Sequence, residues 1–159
     1  SSEAYAKSIF KIYKADAVTV SPYMGYDSIS PFMEYKDKGI FILCLTSNSG
    51  SQDFQKSGKP ALFKKVASSA KEWNKFNNLG LVAGATNAAQ LKEIRKIAGE
   101  MPILIPGVGV QKGNLAMAVK NGISKNNNRI LINSSRSIIY SDNPNIAAKK
   151  LRDDINSFL

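Results

Sequence analysis

Short apolar runs alternate along this chain with segments of helical spacing. The runs fall at residues 17–20 (AVTV), 39–45 (GIFILCL), 79–84 (LGLVAG), 102–106 (PILIP) and 129–133 (RILIN). They are nearly continuous in apolar residues, whereas a strand with one wet face would alternate. This pattern predicts parallel strands covered on both faces. Between them, residues 87–98 place Leu91, Ile94 and Ala98 on one helical face, with Asn87 at the cap, Gln90 three residues on and Gly99 as a stop. Residues 60–76 carry a stripe of Leu62, Val66, Ala70, Trp73 and Phe76, which assigns Trp73 to the core. The last helix takes Asn143 as cap and Pro144 at its first position, and turns Ala147, Leu151, Ile155 and Phe158 to one side. A further helix, SSEAYAKSIFKIYK, opens the chain.

The order is therefore a helix followed by five strand–helix units, spaced by roughly 30 residues as in βαβ units. No linker or low-complexity tract divides them, so a single domain over residues 1–159 is expected; residues 126–128 read as a polar turn. Five parallel strands suit either an open doubly wound sheet or part of a (β/α)₈ barrel, which needs about 250 residues in full.

Composition narrows the chemistry. At 159 residues and 43% hydrophobic content the chain can bury a core. No apolar run approaches the roughly 20 residues that span a bilayer, so no membrane partner is expected. Cys44 is the single cysteine and histidine is absent, which excludes an internal disulfide, a multi-cysteine zinc cage, a His-based triad and a His-ligated metal within this chain. Lys+Arg 22 against Asp+Glu 12 gives +10. Only Arg95, Arg129, Arg136 and Arg152 are arginines, and the lysines are scattered along predicted helices. A nucleic-acid surface would concentrate its cations and arginines, so a solvated lysine-rich surface is the reading and no nucleic-acid partner is expected. No charged segment followed by an apolar stretch opens these residues, so no secretory signal is expected, and the opening at Ser1 inside a helix suggests a processed or partial polypeptide.

In both architectures ligands bind where strands end. The five exits read SPYMGYD, TSNSGSQD, ATN, GVGVQKGN and SSRS. Gly107, Gly109 and Gly113 let backbone N–H groups approach an anion, and Arg136, beside small hydroxyl residues after the last strand, can add a bidentate charge-assisted pair. The glycines alone would fit ordinary turns; together with Arg136 they favour phosphate binding. In the second exit, Ser47 and Asn48 could read a neutral polar ring such as a nucleobase, or cap a helix. Cys44 lies inside an apolar strand and reads as an inert core thiol. Asp16 precedes a strand, Asp27 and Asp53 follow strands, and no acid–base pair announces itself.

The segments at residues 16–32, 39–55, 79–86, 102–113 and 130–140, with their PYMG, TSN-x-G, IPGVG-x-Q and NSSR motifs, resemble the orotidine 5′-phosphate decarboxylase family in its longer bacterial subgroup. The resemblance runs over essentially the whole chain, in order. It implies a (β/α)₈ TIM barrel to which this chain supplies about five βα units, strands four to eight, as the carboxy-terminal part. It further implies a cytoplasmic lyase in de novo pyrimidine synthesis that works as a homodimer and converts the nucleotide orotidine 5′-monophosphate to UMP and CO₂. Gln111 matches the phosphate-loop residue of the family, Arg136 its phosphate-binding arginine beside Ser135, and Ser47 the serine that hydrogen-bonds the pyrimidine ring. Ser49 stands where proline is usual, Ser21 where asparagine is common, and Ser1 near a threonine that reaches the neighbouring subunit's substrate. The family's lysine–aspartate motif, D-x-K-x-x-D-I, would lie before Ser1, so no catalytic residue is assigned within the chain, and neither metal nor organic cofactor is implied. Two other readings remain at this point: another phosphate-binding barrel enzyme of ribulose-phosphate type, or a non-catalytic basic binding module.

Overall fold

The computed structural model describes residues 1–108, 114–126 and 128–159. Its strands β1 (Ala17–Val20), β2 (Gly39–Leu45), β3 (Leu79–Ala83), β4 (Ile103–Pro106) and β5 (Ile130–Asn133) form one parallel sheet. Each coincides with an apolar run to within one residue. The spatial order, β1-β2-β3-β4-β5, is the chain order. A doubly wound sheet reverses direction at a switch point, whereas consecutive units of a barrel wall never do. The pairing runs Ala17 with Gly39, Ile40 with Leu79, Leu81 with Ile103 and Ile103 with Ile130, so all five carboxyl ends finish at one end of the sheet.

Helix α1 (Ser2–Lys7) runs into a π-helical turn, Ser8–Ile12, before β1. Helix α2 (Tyr26–Met33) follows β1, α3 (Ser51–Phe54) and α4 (Leu62–Trp73) follow β2, and α5 (Ala88–Ala98) follows β3. Helix α6 (Leu115–Gly122) follows β4, and α7 (Arg136–Ile139) and α8 (Pro144–Asn156) follow β5. Sheet residues Ile40, Ile42, Leu79, Leu81, Ile103 and Ile105 pack with Phe63 and Ala67 of α4 and Leu91 and Ile94 of α5 to make the core. Among the described residues no helix is long and apolar enough to cross a membrane.

The departures from the sequence pattern have physical reasons. Only β3, at the centre, is buried at every position. β1 and β5 alternate between exposed and half-buried residues, because an edge strand has a neighbour on one side only. The fully buried stripe of α4 is Phe63, Ala67 and Ala70, while Leu62, Val66 and Trp73 stay half-buried on its flank. In α8, Ala147, Leu151 and Ile155 are half-buried as their spacing suggests, but Phe158 is exposed beyond the helix end. Its cap forms as expected, with Asn143 Oδ1 accepting from Ile146 N at 3.1 Å.

Arg95 was invisible as a structural residue in the pattern. It is buried at the end of α5 and donates to four carbonyls: Nε to Gly122 O at 2.7 Å, Nη1 to Gly99 O at 2.7 Å and Met101 O at 2.6 Å, and Nη2 to Arg129 O at 2.9 Å. Desolvation lowers its pKa to about 10, against the opposing field of Glu100, so it stays charged at neutral pH. The guanidinium fork thereby ties the ends of α5 and α6 to the starts of β4 and β5.

Candidate functional site

Three strand exits meet at the carboxyl end of the sheet. β2 leaves through Thr46 and Ser47, β4 through Gly107, and β5 through Asn133 and the serines that follow. At the β4 exit Gly107 has φ +88°, a left-handed conformation that an L side chain would strain. The exits bound a cleft of about 180 Å³. Ser47 from the β2 exit, Pro106, Gly107 and Val108 from the β4 exit, and residues 133–137 from the β5 exit line it.

Ser47 and Arg136 therefore share a cavity although they stand 89 positions apart in sequence (136 − 47). Ser47 is half-buried and Arg136 exposed. Ser134 Oγ and Ser137 Oγ lie 2.5 Å apart, and Ser135 Oγ donates to Asn133 Oδ1 at 3.3 Å. Among the described residues no carboxylate or amine lines the cleft, and none pairs with Arg136. The arrangement offers one cation, several hydroxyls and one neutral polar wall. Such a set can hold an anion and a hydrogen-bonding ring; among the described residues lining the cleft none is suited to proton transfer at neutral pH.

Of the residues singled out by sequence, Ser47, Gly107, Ser135 and Arg136 stand around this cleft. Gly109, Gln111 and Gly113 lie outside the described residues. Ser49 is exposed in the loop after Ser47, and Ser1 is exposed at the cap position of α1. Ser21 lines a different, more apolar cavity between the β1 exit and α4, together with Tyr23, Cys44 and Phe54. Cys44 is deeply buried, its thiol donates to Phe63 O at 3.2 Å, and desolvation pushes its pKa up to about 12, so it is a neutral core thiol. No cluster of three or more His, Cys, Asp or Glu side chains occurs among the described residues.

Sequence reasoning missed how the Ser47 loop is braced. Gln55, just past α3, accepts from Thr46 N at 2.7 Å through Oε1 and donates Nε2 to Thr46 Oγ1 at 2.8 Å. Asn87 does not make the expected side-chain cap for α5. Its Nδ2 donates instead to Thr46 O at 3.2 Å, across the sheet. A cap and a cross-strand tie place the same amide before the same helix, and only the position of β2 beside β3 distinguishes them.

The family model described as Orotidine 5′-phosphate decarboxylase / HUMPS family matches residues 2–151. The chain belongs to this family. Among decarboxylase relatives, the orotidine 5′-phosphate decarboxylase of Dehalococcoides mccartyi is 46% identical over 99% of the chain. The chain spans 63% of that relative's length. The solved OMP decarboxylase of Leishmania donovani superposes with a TM-score of 0.93 at 41% identity, covering 99% of this chain and 62% of its own. UMP synthase of the same organism gives 0.93 at 43% identity over 99% of this chain and 36% of its own. The five βα units thus match part of the barrel wall of these decarboxylases, as the strand order indicates.

Proposed function

We propose that the full-length protein is an orotidine 5′-phosphate decarboxylase and that these residues carry its phosphate- and pyrimidine-binding part. The observation that carries the reading is the shared cleft: the Ser47 hydroxyl and the Arg136 cation, from the exits of β2 and β5, line one cavity. Arg136, with the backbone of Ser135, takes the 5′-phosphate through charge-assisted hydrogen bonds. Gly107 begins the opposing phosphate loop, to which Gly109, Gln111 and Gly113 are assigned. Ser47 hydrogen-bonds the pyrimidine amide.

Holding the phosphate matters to a reaction at the far ring. Binding energy from a remote group can order and desolvate the reacting centre, where it lowers the barrier. In the reaction the C6–carboxylate bond breaks, CO₂ leaves, its bonding electron pair remains on C6, and a proton from a positioned acid completes UMP. The D-x-K-x-x-D-I motif does not occur in the 159 residues, and the acid is assigned outside them. A homodimer acting in the cytoplasm on a free nucleotide belongs to the same reading.

The test is decarboxylation of orotidine 5′-monophosphate by the full-length protein and by the 159-residue chain alone, each verified by intact mass. Turnover by the first and none by the second is expected. Absence of turnover by the full-length protein would overturn the reaction, and comparable turnover by the lone chain would overturn the division of roles.

A further inference from the structure

Ser47 packs closely against the exit of a strand that offers the cleft no side chain. β3 leaves the sheet at Gly84, whose N–H donates to Leu45 O at 2.7 Å. A Cβ at Gly84 would lie 2.8 Å from Ser47 Cβ and 2.9 Å from both its Cα and its amide nitrogen. These are backbone atoms and the root of the side chain, so no rotamer change relieves the overlap; the Ser47 backbone itself has to move. Asn87, only 9% exposed, then ties down the preceding residue through Thr46 O. Thr86 Oγ1 adds a longer contact of 3.5 Å to Ser47 O.

We propose that Gly84 and Asn87 are positioning residues that set how the protein distinguishes a nucleotide from a bare sugar phosphate. The absent side chain at Gly84 fixes how deeply Ser47 sits, and Asn87 fixes the course of the chain leading into it. The proposal rests on reading Ser47 as the residue that hydrogen-bonds the base. Ordinary contact begins near 3.4 Å, so a methyl group at position 84 displaces Ser47 by several tenths of an ångström. A hydrogen bond weakens steeply over such distances. Arg136 stands on the exit of β5, with β4 between β5 and β3, and is untouched by either residue. The disturbance is therefore confined to the base end.

The experiment compares UMP with ribose 5-phosphate by calorimetric titration of the full-length protein, as wild type and as Gly84→Ala, Asn87→Ala, Ser47→Ala and the Ser47→Ala/Gly84→Ala double variant. Loss or lengthening of one hydrogen bond should weaken UMP binding about tenfold in Gly84→Ala and about threefold in Asn87→Ala, with ribose 5-phosphate changed less than about twofold. The double variant should bind UMP no more weakly than the weaker single variant, because Gly84 acts through Ser47. Parallel losses for both ligands, or additive losses in the double variant, would overturn the proposal. If Ser47→Ala weakens UMP but Gly84→Ala and Asn87→Ala do not, positioning fails while the base reading stands. If Ser47→Ala leaves UMP unchanged, the base reading fails and the proposal with it. Should Gly84→Ala prove unfolded by circular dichroism, Asn87→Ala, which adds no atoms, decides the matter on the same ligand ratio.

Discussion

Arg136 and Cys44 show how differently two residues near strand ends behave. Arg136 is exposed to the cleft and, among the described residues, unpaired by any carboxylate, so its charge is available to a ligand. Arg136→Ala should weaken UMP binding by about 2–4 kcal/mol, the scale for removing one partner of a hydrogen-bonded charge pair. Binding of uridine, which lacks the phosphate, should change less than about twofold; equal losses for both ligands would remove Arg136 from the phosphate site. Cys44 is covered, and its thiol pKa is raised from 9.0 to about 12 by burial. At pH 8 it should carry roughly a thousandfold less thiolate than an ordinary cysteine, so iodoacetamide should label it only after denaturation. The sign of the linked stability follows: between about pH 9 and 12 the unfolded thiol ionises while the folded one keeps its proton, so stability contributed by this site falls as pH rises through that window. Rapid native-state labelling at pH 8 would contradict the burial.

At the level of elements, Arg95 joins four backbone carbonyls from the ends of two helices and the starts of two strands. Arg95→Ala leaves all four without this donor and should destabilise the fold by about 3–5 kcal/mol, read from chemical denaturation. Arg95→Lys should recover only part, since an ammonium cannot reproduce the planar fork. A loss below about 1 kcal/mol for the alanine variant would mean that water replaces the fork. This residue also marks where sequence reading stops. The strands were legible because each is a compact apolar run, and α5 because Leu91, Ile94 and Ala98 repeat at helical spacing. Arg95 sits beside Ile94 in that pattern and reads as a surface cation; its partners at Gly122 and Arg129 are distant in sequence. The same limit explains Asn87, whose partner Thr46 lies 41 residues away. Ser47 and Arg136 could be placed at one end of the sheet because the parallel-strand rule brings carboxyl ends together, but the depth of Ser47 depends on Gly84, which no local pattern expresses.

For the whole molecule, the open edges dominate behaviour in isolation. Leu131 on β5 is 49% exposed, and Ile139 and Tyr140 beyond it are 63% and 81% exposed. β1 forms the opposite edge, with Ile12 and Tyr13 exposed just before it. Unpaired parallel edges with apolar neighbours favour association. The 159-residue chain alone should therefore sediment as oligomers or aggregate, and Leu131→Lys should shift it toward monomer. A stable monomer of the unmodified chain across micromolar concentrations would show that the edges are protected. Strand order equal to chain order bears also on biosynthesis. As the polypeptide leaves the ribosome, each βα unit emerges next to the edge on which it will pair, so the growing sheet serves as the template for its own next strand. Among these five strands none has to be inserted between two already joined, so their assembly can follow translation from amino to carboxyl end. In that order the Ser47 turn meets Gly84 before Arg136 is made, and the wall that reads the base is built ahead of the one that grips phosphate.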